Sequence, residues 1–61
     1  MFIQIVNDHG ILLFQGNVEC VPRIGEYIDI NTHRYYVNCI VHALHNGHWS
    51  VRVFVNSNQE Y

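Results

Sequence analysis

Lysine is missing altogether from this 61-residue chain, and arginine occurs only as Arg23, Arg34 and Arg52. Five carboxylates (Asp8, Glu19, Glu26, Asp29 and Glu60) outnumber them, for a formal net charge of −2. Nucleic-acid binders draw affinity from phosphates neutralised by Lys and Arg. Three scattered arginines make no basic face, so nucleic acid is disfavoured as a partner. Long apolar runs are lacking too: the longest, Ile11 to Phe14, has four residues, against the ~20 of a membrane helix. No basic segment precedes MFIQIV, and Asn7-Asp8 interrupts it, so a secretory signal is not expected. A cytoplasmic location follows as the expectation. Cys20 and Cys39 are then expected to be free thiols; a single bridge between them would be the secreted alternative.

What the chain does have is apolar substance: 49% hydrophobic residues against 13% charged, about half the usual charged share. That composition excludes a disordered tail. A domain this short buries only about 60% of the surface its unfolded chain exposes. With no disulfide expected, it must rely on packing, a metal or a partner chain. So few charges covering so apolar a chain point towards association.

Met1 to Val6 reads as a first strand, ended by the turn-forming Asn7-Asp8-His9-Gly10. Ile11 to Glu19 reads as a second, with Gly16 at a bulge or bend. Val21 to Glu26 holds the only proline and breaks the pattern. Tyr27 to Ile30 alternates, placing Ile28 and Ile30 inside, and Asn31-Thr32-His33 turns. Arg34 to Leu44 is the longest strand candidate. Asn46-Gly47 is a strong two-residue hairpin signal, and Trp49 to Val55 alternates again. No segment keeps a 3.6-residue period. Five short strands predict an all-β, antiparallel barrel over residues 1–56, because closure removes exposed edges. Residues 57–61 read as a polar C-terminal tail.

The segment Val21-Pro22-Arg23-Ile24-Gly25-Glu26, followed by Ile28, Ile30, Tyr36-Val37, Val41-His42 and Val53 to Val55, resembles small SH3-like barrel proteins of bacteria and phages. The resemblance covers residues 11–55 and rests on the Pro-Arg-x-Gly-Glu turn. It implies a small five-stranded SH3-like barrel and no catalytic residue. Physically the segment reads as a turn: Pro22 extends the chain, Gly25 bends it, and Glu26 accepts turn amides or pairs with Arg23.

Five histidines invite a metal hypothesis. Cys39, His42, His45 and His48 are spaced by three, which on a strand alternates faces and separates Cys39 from His42. His45 and His48 flank Asn46-Gly47, so a two-residue turn sets them opposite each other. Two ligands fall short of the four of a structural zinc site; His9, His33 or a second chain would have to complete it. No thiol has a local base or cation to activate it, and Glu26 and Asp29 read as ordinary surface carboxylates. The aromatic residues lack the cations of a base-stacking platform, so they read as core and rim. Neither an enzyme nor a cofactor is expected.

Counting outward from Asn46-Gly47 pairs Leu44 with Trp49, His42 with Val51, Ile40 with Val53 and Asn38 with Val55. That face, with Tyr36 following, is the expected interior. The other face should be wet, yet it carries Tyr35, Val37, Cys39, Val41, Ala43 and Phe54, with Arg52 among them. A contiguous outer apolar strip marks an association site. A β-bulge near Asn38-Cys39 would instead swap the faces and return Val37 to the core. The expected function is a non-enzymatic protein-binding module, a phage or mobile-element accessory that blocks a host protein or forms a homodimer. The alternatives are a nucleic-acid-binding barrel and, third, a metal-dependent or thiol enzyme.

Overall fold

The computed structural model describes residues 1–57; the rest of the expected tail, 58–61, lies outside the described residues. Five strands form, β1 (Phe2–Val6), β2 (Leu12–Asn17), β3 (Tyr27–Ile30), β4 (His33–His45) and β5 (His48–Ser57). β5 therefore runs two residues past Val55 and takes in Ser57, the first residue of the expected tail. The strands make one sheet in the order β2-β1-β5-β4-β3. The sheet curls into a nearly closed barrel compatible with an SH3-like one. β2 and β3 end the order, and the segment joining them closes the gap by packing Val18 and Val21 against the core.

The sheet is mixed, which corrects the antiparallel expectation. β1 runs parallel to β5, with Ile3 beside Val51 and Ile5 beside Val53. Each apolar strand seeks the neighbour that best covers its inner face. β5 brings Val51, Val53 and Val55, all at most 1% exposed, and so takes the central place between β1 and β4. Among the described residues, these valines with Ile3, Ile5 and Val37 form the buried core. Alternation turns Gln4, Val6, Arg52 and Phe54 outward.

Turns follow the sequence closely. Asn7 holds the β1–β2 connection: its side-chain oxygen accepts from the amides of His9 (2.9 Å) and Ile11 (3.0 Å). Both hairpins of β4 are two-residue turns with positive φ, Asn46-Gly47 at 52° and 78° and Asn31-Thr32 at 50° and 70°. Gly16 is not at a bulge, as expected of it, but pairs regularly with Ile3. The β1–β2 irregularity lies at Ile5/Val6, where Phe14 and Leu12 are the partners and Leu13 is the extra residue. Gly16 instead makes room for the Phe14 ring, whose Cζ would lie 3.2 Å from an added Cβ.

The β4–β5 register holds from His45–His48 down to Cys39–Phe54 and then shifts: Val37, not Asn38, faces Val55. Asn38 is the extra residue of a bulge. The faces of β4 exchange below it, as a bulge must make them do. Tyr35 turns inward beside Ile28 and Ile30, against the core. Tyr36, expected inside, turns outward and stacks edge-on against Tyr27 at 5.5 Å.

Candidate interaction surface

The bulge divides the expected strip. Val37 is fully buried and Tyr35 half-buried against the core, so neither belongs to an outer surface. Cys39, Val41 and Arg52 remain exposed and Phe54 partly exposed. Two cross-strand rows contain them. Leu12, Val6, Phe54 and Cys39 make an apolar row over β2, β1, β5 and β4. Gln15, Gln4, Arg52 and Val41 make the row beside it. There the Gln4 amide donates to Gln15 at 3.1 Å, and Arg52 Nε donates to Gln4 at 3.4 Å. A tied polar row thus borders Phe54, and the outer apolar surface is narrower than the unbulged register predicts.

The larger apolar exposure lies elsewhere. β1 pairs with β5 only from Val51 onward, and β3 pairs with β4 only over His33–Tyr36. The ends of β4 and β5 around Asn46-Gly47 therefore project as a two-stranded arm, and positions 41–49 are all exposed. At about 3.3 Å per residue the 13-residue β4 accounts for the 43 Å long axis of the molecule. Leu44 and Trp49 face each other on this arm, each 59% exposed, on the side that lower down carries Val51 and Val53. The inner face of the barrel continues past the strands that cover it.

The Pro-Arg-x-Gly-Glu segment serves its own turn. Glu26 accepts the Arg23 amide at 2.8 Å and lies 3.6 Å from the Arg23 guanidinium. Gly25 takes φ 94°, and its amide donates to the Val37 carbonyl at 3.0 Å. The Val37 amide donates back to Glu26 at 2.9 Å, so the turn is anchored to β4. A shallow hollow beside it is lined by Cys20, Val21, Pro22, Arg23, Glu26 and Ile28. Its two charged groups already engage each other.

His45 and His48 pair across the turn, as the two-residue count requires, and both are exposed. Among the described residues, no three of His, Cys, Asp or Glu gather into a group able to hold a metal. Cys39 lies on the outer face, whereas His42 pairs with Val51 on the inner one. Cys20 and Cys39 are free and exposed. Asp29 and Arg34, paired across β3 and β4, form a two-pronged contact at 2.9 and 3.3 Å. That hydrogen bond and the guanidinium charge hold the Asp29 carboxyl below its ordinary value of 3.8.

The arm is the feature that sequence reasoning missed. Its register was predicted, but its exposure depends on how far β1 and β3 extend. No helix among the described residues is long and apolar enough to cross a membrane. Comparison with protein families, curated proteins and solved structures finds no match to the chain.

Proposed function

We propose that this small barrel is a non-enzymatic protein-binding module whose contact surface is the projecting β4–β5 arm. The carrying observation is the Leu44–Trp49 pair, on the core's own face yet 59% exposed at both residues. Large aromatics dominate binding energy once desolvated, and a bare two-stranded hairpin is marginal in water. A partner that covers this face supplies the missing layer. Residues 38–50 hold no Lys, Arg, Asp or Glu, which favours an apolar protein surface over nucleic acid. Cys39, Val41 and Arg52, exposed, and Phe54, partly exposed, lie on the opposite, outer face and offer a second, narrower contact. The resemblance of the Pro-Arg-x-Gly-Glu turn supports an accessory role in a phage or mobile element, acting on a host protein or on itself. Two unjoined thiols support a reducing, cytoplasmic setting.

The test is photo-crosslinking in the native host, with benzoylphenylalanine replacing Trp49 and, as control, Gln15. A discrete protein adduct from position 49 and none from position 15 is expected. No adduct from position 49, or the same adducts from both, overturns the reading.

A further inference from the structure

A strand edge is more selective than an apolar face, because its unpaired N–H and C=O groups accept only another extended strand. β4 has such an edge. On the side away from β5 it pairs with β3 over His33–Tyr36, and the Gly25-Glu26 turn reaches Val37. Beyond the bulged Asn38, among the described residues, no strand lies beside residues 39–45. Edges of this kind are normally guarded by lysine, proline or an inward-pointing charge. This one, Cys39-Ile40-Val41-His42-Ala43-Leu44-His45, has none of the three.

We propose that this edge pairs antiparallel with the same edge of a second copy of the chain, about a twofold axis at His42. The inference rests on the arm being a protein contact surface and names its partner. An isologous pair sets residue i opposite j and j opposite i, and about His42 the flanking positions 40, 41, 43 and 44 are all apolar. Ile40 comes opposite the second copy's Leu44, Val41 opposite its Ala43, and His42 opposite its His42. Ile40 already pairs with Val53, and Leu44 with Trp49. The joined sheet then carries one inner row of Val53, Ile40, the second copy's Leu44 and the second copy's Trp49. The exposed pair of each arm becomes the continuation of the other copy's core row.

The register also fits the space. The second copy's strand ends at its His45, opposite Cys39, and its turn stops where Gly25 and Glu26 cap Val37. β3 and the incoming arm share the edge of β4 end to end. No like charges meet across residues 39–45, so nothing in the segment opposes self-pairing.

Sedimentation equilibrium of the purified chain should show the 7.2 kDa protein at twice its mass, falling to monomer on dilution. His42→Lys and His42→Glu each set like charges opposite at the axis and should lose the dimer, while keeping the melting temperature of the dilute wild-type monomer because His42 is exposed. An equimolar mixture of the two variants should recover the doubled mass. Should either variant melt early, wild-type amide exchange at His42 and Leu44, whose N–H groups face the free edge, decides instead: protection must rise with protein concentration. A wild-type chain that stays monomeric up to roughly 1 mM, or His42→Lys retaining the dimer, overturns the pairing. A foreign adduct from position 49 alongside a monomeric chain sinks the self-pairing alone; no adduct from that position sinks the arm as a contact surface.

Discussion

Leu44 faces Trp49 across the β4–β5 hairpin, and both are 59% exposed on the face where Val51 and Val53 are at most 1% exposed. The difference arises where β1 begins: it covers β5 from Val51 and leaves His48 to Ser50 without a third strand. A hairpin without a third strand opens at low cost. In dilute protein, the amides of residues 43–50 should therefore exchange well before those of Val51 to Val55. Equal protection would show that the arm is stabilised by something other than sheet pairing.

Thr32 is held at φ 70°, a left-handed conformation costly for a β-branched residue. Gly47 occupies the equivalent turn position at the other end of β4 without that cost. Thr32→Gly should stabilise the domain by about 1 kcal/mol, raising the melting temperature by roughly 4–8 °C. A lower melting temperature would mean that the Thr32 side chain contributes more than its backbone strain costs.

Glu26 closes its turn through the Arg23 amide at 2.8 Å. Glu26→Ala should cost about 1 kcal/mol, read as a lower denaturation midpoint. Glu26→Gln keeps an acceptor and should recover most of that loss. If alanine and glutamine are equally harmful, the charge opposite Arg23 matters and the amide bond does not.

Asp29 titrates below 3.8 because Arg34 donates to it and lies beside it as a cation. A lowered folded value means that the stabilisation is present above pH 3.8 and lost as pH falls through the lowered value. In Arg34→Gln, the Asp29 carboxyl resonance should titrate closer to its ordinary value. The accompanying change in melting temperature at neutral pH should be small, since both groups are exposed. An unshifted titration would show that the contact is not formed in solution.

The strands and turns were legible because alternation and turn chemistry are local. Asn46-Gly47 predicts the β4–β5 register from His45–His48 to Cys39–Phe54. The parallel β1–β5 pair was not legible, because Ile3 and Ile5 alternate alike whichever way the neighbouring strand runs. Nor was the choice at Asn38 settled: a polar residue at an expected inward position hinted at a bulge, but Tyr35 and Tyr36 are too alike to show which faces in. That one extra residue moved Val37 and Tyr35 out of the candidate surface. Gly16 misled because a glycine at a bulge and one beneath an aromatic ring read the same in sequence.

Two aspartate substitutions on one face test the arm as the surface through which the chain associates with itself. Val53 is fully buried, while Leu44, farther along the same face, is 59% exposed. Solution mass and melting temperature should be measured for Val53→Asp and Leu44→Asp beside the wild type. Val53→Asp should unfold the domain, since a charge buried without a partner is among the costliest changes a core can suffer. Leu44→Asp should keep the wild-type melting temperature of the dilute monomer and lose association. A Leu44→Asp chain that melts as Val53→Asp does, or that associates as the wild type does, would contradict the account.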